Sequence, residues 1–230
     1  MTRTPSPSSP TPSGLSTTRA SLHAVAEHVL APARFEAERR IGLVVTPGGF
    51  ATPVLPGGSV LAVERDELVV RRPDAEQRAA LKTTTLGTLA DVAEVDLSVW
   101  HGLYPAVTPA DRATPVVVDP EAASVIAEWY GVVDGALHAL ITALDARETT
   151  TLWPEHFDVA TALDEVDYGG SPGDVFVDEP YAYVGPRSRP LPAAGEGFWN
   201  APFGAVLRRS QTTEPEAVLA FFLRGRELSQ

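Results

Sequence analysis

The sequence predicts an α+β protein whose sheet is mainly antiparallel, with helices on one side. Apolar residues at helical spacing alternate with short β-branched runs. Several of these runs follow one another closely, as hairpins do, and this favours antiparallel pairing. Both halves of the chain show the order helix, strand, glycine-rich loop, two strands and helix. One interpretation is therefore that the chain consists of two related halves, 16–118 and 119–230.

The first fifteen residues are rich in Ser, Thr and Pro. Such a segment buries too little apolar surface to offset its ordering entropy, and we predict a disordered tail over 1–15. Residues 16–230 are then predicted to form a single α+β domain.

Helix and strand signals in the first half follow in a simple order. A helix is predicted from Ser16 to about Leu30, and Pro32 marks a break, after which a resumed helix over ARFEAERR (33–40) is considered. IGLVVT (41–46) predicts a buried strand, and the Gly- and Pro-rich stretch after it predicts an irregular loop. Two Val- and Leu-rich runs within 59–72 predict a hairpin around a polar turn at 65–67. A helix follows over 83–95.

The second half begins with a short strand near 116–118 and the longest predicted helix, 120–144. Pro120 and Glu121 suit the first turn of that helix. Strands are predicted over 149–163 and 174–184, with YGGSPGD as the turn between them, and over 203–210. Thr213 and Glu216 then predict a capping box at the start of the last helix.

Composition excludes several classes of function. The 30 acidic against 18 basic residues give a formal charge of −12, which disfavours nucleic acid as a partner. No cysteine is present, so thiolate chemistry and disulfides are excluded. No apolar run approaches the length of a membrane span, and the opening stretch lacks the apolar core of a secretory signal. We therefore expect a cytoplasmic protein without a membrane partner.

The stretch LWPEHFDVAT (152–161) contains the strongest candidate for chemistry. In one continuous strand, His156 and Asp158 lie on the same face about 7 Å apart, and Glu155 points to the opposite face. Such a pair suits proton transfer or a shared metal ion. The alternative is a structural histidine at the end of a strand.

Aromatic and polar residues farther along the chain predict a small-molecule pocket around His156. The candidate ligand-binding residues are Trp153, Glu155, Asp174, Tyr181, Tyr183, Trp199 and Asn200. In the alternative interpretation these aromatics form the core of a non-catalytic structural or protein-interaction protein. The glycine-rich loops lack the spacing of phosphate-binding motifs, and no cofactor is predicted.

A second constellation lies on the predicted helices. His23 and Glu27, and likewise Asp134 and His138, are four residues apart and share a helix face. If the two helices met, the four side chains would suit a divalent metal. Solvated i,i+4 pairs are commoner, and we predict that no stoichiometric metal is tightly bound. The sequence leaves the oligomeric state open.

A string of motifs in the second half resembles an uncharacterised bacterial domain family of unknown function. The motifs are LWPEHFD (152–158), GSPGD (170–174), DEPYAYVG (178–185), GFWN (197–200) and EPEAVLAFFLRG (214–225). The resemblance covers about 80 residues. It implies membership of a group of bacterial proteins and implies no activity.

Overall fold

The computed structural model describes residues 12–97, 104–109, 111–187 and 197–230. The chain divides into two compact units that interleave along the sequence. The N-terminal unit comprises Pro12–Glu128 and Thr151–Asp158, and the C-terminal unit comprises Trp129–Thr150 and Val159–Gln230. The predicted α+β class and antiparallel pairing are confirmed. The predicted tail and single domain stay predictions, and residues 1–11 lie outside the described residues.

The N-terminal unit combines helices with a meandering sheet. Its elements are α1 (Leu15–Val25), a π-helical turn (Ala26–Leu30), α2 (Ala31–Glu38), β1 (Val44–Thr46), β2 (Gly49–Ala51), β3 (Val60–Glu64), β4 (Glu67–Arg72), β5 (Ala75–Ala80), β6 (Thr84–Thr85), α3 (Leu86–Ala93), β7 (Pro115–Val116), the start of α4 (Pro120–Ala143) and β8 (Thr151–Trp153). Within the described residues, no helix combines the length and the apolarity that crossing a bilayer requires.

The main sheet of this unit pairs β1 to β5 in sequence order, each strand antiparallel to the next. The predicted hairpin is confirmed as β3 and β4, joined by the two residues Arg65 and Asp66. Beyond β1, Leu43 pairs with Leu152 through two backbone hydrogen bonds of 2.7 and 2.9 Å. Strand β5 has the sequence AEQRAA, which carries no strand signal, and it was not predicted.

The first helix continues past the predicted break. A π-helical turn joins α1 to α2, and Pro32 occupies the first turn of α2. Proline lacks an amide hydrogen, which is tolerated in a first turn, and the wider π turn accommodates the register change. The helical stretch therefore runs to Glu38. The predicted break at Pro32 is wrong, and helix is present after Pro32 as considered for 33–40.

The C-terminal unit contains β9 (Asp158–Leu163), β10 (Val166–Ser171), β11 (Tyr181–Pro186), β12 (Ala205–Arg208), α5 (Pro215–Ser229) and the second part of α4. Its strands pair antiparallel in the order β12-β11-β10-β9. The predicted strand at 203–210 is confirmed as β12. The capping box is wrong, because Glu214 is the N-cap residue of α5 and no side chain caps the helix.

The predicted turn YGGSPGD is largely strand, since β10 runs through its two glycines. A Cβ on Gly169 would lie 2.6 Å from the ring of Tyr183, and a Cβ on Gly170 would lie 2.5 Å from Cγ2 of Val133 in α4. Glycine here permits close packing of a ring and a helix on an interior strand. The two glycines were predicted as turn residues, whereas the structure shows that they permit close packing on a strand.

Candidate functional site

The predicted strand over 149–163 is interrupted by a turn at residues 154–157, and this changes the geometry around His156. The Phe157 amide donates to the Trp153 carbonyl at 2.7 Å, and Phe157 has a left-handed φ of 52°. His156 is therefore exposed on the turn, and Asp158 begins the next strand. The same-face alternation that paired His156 with Asp158 does not apply.

The other predicted residues of this stretch differ in exposure. Trp153 is 38% exposed at the end of β8. Glu155 is half-buried on the turn, and its Oε2 is buried without a hydrogen-bond partner among the described residues.

His23 of α1 packs against this turn, which sequence analysis did not predict. Its Nε2 lies 2.8 Å from the Pro154 carbonyl, and its ring stacks on Phe157 at 5.2 Å with an interplanar angle of 7°. A carbonyl oxygen only accepts hydrogen bonds, so Nε2 carries the hydrogen and Nδ1 of the neutral ring has the lone pair. Nδ1 makes no hydrogen bond to the described residues.

Burial lowers the pKa of His23 below its ordinary value, and this outweighs the opposing effect of the nearby Glu27 carboxylate. His28 and His156 lower the pKa further. His23 is therefore a neutral imidazole with a fixed tautomer at neutral pH, which is the form that accepts a proton.

Glu27 and His28 lie in the π-helical turn and are almost completely buried. The Glu27 carboxylate accepts hydrogen bonds from the amides of Val107 and Thr108, each at 2.8 Å. It also accepts one from the Thr108 hydroxyl at 2.5 Å. The buried negative charge is thus surrounded by three donors from one short loop.

The arrangement of His28 and Thr108 resembles a nucleophile and its base, but the donors exclude that role. His28 Nε2 lies 3.0 Å from the Thr108 carbonyl and 2.8 Å from the Thr108 hydroxyl oxygen. Because a carbonyl only accepts, Nε2 carries hydrogen and donates to Thr108, so it does not take a proton from the hydroxyl. Glu27 and His28 therefore anchor the loop at 104–109 to the helix.

Asp134 and His138 pair within α4, where His138 Nδ1 lies 2.9 Å from the Asp134 carbonyl and 3.4 Å from its carboxylate. Across the described ranges, no group of three or more His, Asp or Glu side chains is placed to hold a metal ion. The metal content of the protein stays a prediction.

Five of the predicted ligand-binding residues lie in the C-terminal unit. Asp174 Oδ1 accepts from the amides of Phe176 and Val177 at 2.7 and 2.8 Å, and Oδ2 accepts from the Tyr181 hydroxyl at 2.5 Å. Asp174 therefore fixes the loop that precedes β11. Tyr181 packs in a cluster with Val177, Ala201 and Val206, against which Tyr183 and Phe203 also pack.

Asn200 and Gln211 occupy the outer edge of β12. The Asn200 carboxamide donates to the Val206 carbonyl at 3.0 Å and accepts from the Val206 amide at 2.8 Å. Gln211 Oε1 accepts from the Arg208 amide at 2.9 Å. Two side-chain amides thus satisfy backbone groups that a neighbouring strand would otherwise bind.

A half-open cleft of about 180 Å³ lies beside this edge. It is lined by Phe176, Val177, Asn200, Val206, Arg208 and Gln211. The Arg208 side chain is 46% exposed, and its guanidinium contacts Glu179 at 3.4 Å. Glu179 also accepts two hydrogen bonds of 2.9 Å from Ser210. The amide nitrogen of Gln211 makes no hydrogen bond within the described part of the chain.

Trp199 is half-buried and meets Phe198 edge to face at 5.0 Å. Its indole nitrogen is buried without a partner among the described residues. Of the predicted site residues, Asn200 alone lines the cleft. Arg208 and Gln211 were missed, because neither periodicity nor a motif shows which residues lie along a sheet edge. Phe176, in the loop at 174–177, was also missed.

Comparisons of the chain with protein-family models, with curated protein sequences and with solved structures find no match. Function is therefore inferred from the geometry of the described residues.

Proposed function

We propose that the protein binds a small organic molecule in the cleft beside β12. The observation that carries the proposal is an apolar wall next to donors that the protein itself does not fully use. Phe176, Val177 and Val206 supply the wall, and Arg208 and Gln211 supply the donors. A small number of polar groups that converge on an apolar surface is typical of ligand sites.

The donor set and the volume define the class of ligand. A guanidinium and an amide NH₂ both donate, so the ligand carries an acceptor such as a carbonyl or carboxylate oxygen. A cleft of about 180 Å³ is smaller than the roughly 300–1,000 Å³ of sites for drug-sized ligands. The ligand is therefore the size of a single aromatic ring or a short aliphatic chain.

Asp174 and Tyr181 contribute indirectly in this proposal. Their hydrogen bond and the two amide bonds to Asp174 fix residues 174–177, which place Phe176 at the cleft. Asn200 holds the β12 edge from the other side. His156 and Asp158 have no role in this cleft.

Nuclear magnetic resonance titration with phenylacetate and phenylacetamide tests the proposal. We expect shifts of the backbone amides at 176–177 and 206–211, saturating at millimolar concentration. Arg208→Ala and Phe176→Ala each should weaken binding about tenfold, whereas Arg224→Ala, an exposed arginine on α5, should not. Absence of saturable shifts with both probes, or equal weakening by the control variant, would contradict the proposal.

A second candidate function is proton transfer at His23, favoured by its fixed tautomer and lowered pKa. Long-range ¹H–¹⁵N spectra of the imidazole test the premise. We expect the Nε2–H tautomer to dominate at pH 7, with Nδ1 unprotonated. A protonated ring or the Nδ1–H tautomer at that pH would remove His23 as a base.

A further inference from the structure

Strand β5 forms an open edge of the N-terminal unit. It is the last strand of the sheet and pairs with β4. Five of its six residues are exposed and the sixth is half-buried, so both of its faces contact solvent. The opposite end of the sheet is extended by the Leu43–Leu152 pair, and β12 of the other unit is capped by side-chain amides.

Two features that commonly protect a sheet edge, proline and a β-bulge, are missing from β5. Its sequence, AEQRAA, contains neither proline nor lysine, and its pairing with β4 is continuous without a bulge. Unprotected edges of this kind pair readily with another strand. The charges of Glu76 and Arg78 then determine which strand can pair with β5.

The hydrogen-bonding phase of β5 follows from its register. Leu81 donates to the Asp66 carbonyl at 2.8 Å, next to the pair Glu67–Ala80. Hydrogen-bonded pairs alternate in an antiparallel ladder, so the backbone groups of residues 75, 77 and 79 face β4. The N–H and C=O groups of Glu76, Arg78 and Ala80 therefore point outward.

The outward-facing residues are self-complementary. Two copies of β5 can run antiparallel about a two-fold axis at Gln77. Glu76 of one copy then lies opposite the partner's Arg78, and Arg78 lies opposite the partner's Glu76. Both of these pairs are hydrogen-bonded pairs in the correct phase. The neighbouring registers with the same phase place Glu76 opposite the partner's Glu76, or Arg78 opposite the partner's Arg78, and like charges there are destabilising.

Ion pairs within the chain hold the two charged side chains over the sheet face. Arg78 contacts Glu67 at 2.9 Å and Glu76 at 2.8 Å, and Arg71 contacts Glu76 at 3.0 Å. The side chains consequently lie along the sheet rather than across its edge. The backbone of β5 stays accessible, and a second copy would extend the same alternation of charges.

We propose that the protein forms a homodimer by antiparallel pairing of β5 with the partner's β5, in the register that centres on Gln77. The interface is isologous, as the two-fold symmetry requires. Pairing of two short strands buries less than the ~1,200 Å² of a standard interface, so the dimer is weak and depends on concentration.

Single cysteines test the register, since the chain has no cysteine of its own. In the proposed register Gln77 faces itself in a non-hydrogen-bonded pair, with Cβ atoms about 4.5–5.5 Å apart. Gln77→Cys should therefore form a disulfide dimer rapidly with copper phenanthroline as oxidant. Ala79→Cys should not, because each residue 79 lies about 13 Å from its copy at ~3.3 Å per residue.

A mixture of Ala75→Cys and Ala79→Cys supplies a stricter control. These positions face each other in the proposed register, so the mixture should cross-link although each variant alone does not. Equal cross-linking of Gln77→Cys and Ala79→Cys, or none in the mixture, overturns the register. None of the three positions belongs to the ion-pair network, and folding should be preserved.

Charge variants test the pairing independently by sedimentation velocity. Arg78→Glu and Glu76→Arg should each weaken self-association at least tenfold, and an equimolar mixture should restore it as a heterodimer. Arg224→Glu is the matched control on exposed α5 and should leave association unchanged. A monomeric native chain up to millimolar concentration, or variants that associate like the native chain, would refute the dimer.

Discussion

His23 couples the first helix to the turn at 154–157 through one hydrogen bond and one ring stack. Because burial lowers the pKa of His23 in the folded state, the unfolded chain takes up the proton first as the pH falls. The stability contributed by the neutral ring is complete above the unfolded pKa of about 6.5 and is lost as the pH falls through the folded pKa.

We expect the free energy of unfolding to decrease as the pH is lowered from 7.5 to 5.5. His23→Gln keeps a donor for the Pro154 carbonyl and removes the titrating ring, so part of that decrease should disappear. Urea denaturation at each pH measures it. His138→Gln, a change at an exposed histidine, should retain the full decrease. The same pH dependence in both variants would speak against His23.

Gly170 is a second residue at which one neighbouring side chain determines how a substitution changes stability. A methyl group there meets Val133 at 2.5 Å, so we expect Gly170→Ala to cost roughly 1–3 kcal/mol of stability. Gly135 lies on the same helix as Val133 with open space around it, and Gly135→Ala should stabilise by about 0.5–1 kcal/mol. Thermal unfolding of both variants compares the two effects directly, and the same sign of change in both would contradict this account.

At the scale of elements, the π-helical turn and the loop at 104–109 depend on Glu27. Glu27→Gln replaces one acceptor by an NH₂ group that faces donors, and we expect a loss of about 1–3 kcal/mol. Hydrogen exchange of the Val107 and Thr108 amides should accelerate. Glu36→Gln on the exposed side of α2 is the control, with a change below about 0.5 kcal/mol. If hydrogen exchange of these amides is unchanged in Glu27→Gln, contacts other than those of Glu27 hold the loop at 104–109.

The β12 edge gives a prediction of the same kind. Asn200→Ala removes both bonds to Val206, and we expect a loss of about 1 kcal/mol with faster exchange of the Val206 amide. Asn200→Asp keeps the acceptor, so that amide should remain protected. Equal exchange in the two variants would contradict the capping role.

Elements with a local sequence pattern could be predicted. Elements that depend on contacts with other parts of the fold could not. The β3–β4 hairpin and the long helix α4 have apolar periodicity and turn residues that identify them locally. Strand β5 is held by its ladder and ion pairs, and β10 has glycines chosen by contacts with Val133 and Tyr183. Local propensity is overridden there by tertiary context.

The candidate site shows the same division. Asp174, Tyr181 and Asn200 were predicted as ligand-binding residues from their residue types. In the structure Asp174 and Tyr181 hydrogen-bond to each other before β11, Asn200 bonds to β12, and ligand binding stays a prediction. The same-face placement of His156 and Asp158 required an unbroken strand, and the turn at 154–157 interrupts that strand. The catalytic role of the two residues stays a prediction. Arg208 and Gln211 line the cleft because they lie on a sheet edge, a property that the pattern of one strand does not contain.

For the molecule as a whole, we predict less than 0.2 equivalents of zinc, iron or manganese per chain. None of the His, Asp and Glu groups within the described residues reaches the three ligands that a protein site commonly uses. Elemental analysis of protein prepared without chelator or polyhistidine tag measures the content. About one equivalent, lost in a His23→Ala and His138→Ala double variant, would contradict the prediction.

The interleaving of the two units has a consequence for synthesis on the ribosome. Leu43 bonds to Leu152, and His23 and Phe50 pack on Phe157, so the N-terminal unit is completed by residues made more than a hundred positions later. Contacts so distant in sequence close slowly. The emerging chain must therefore hold an unfinished sheet while α4 is being made, and in that interval the bare β5 edge is open to neighbouring nascent chains.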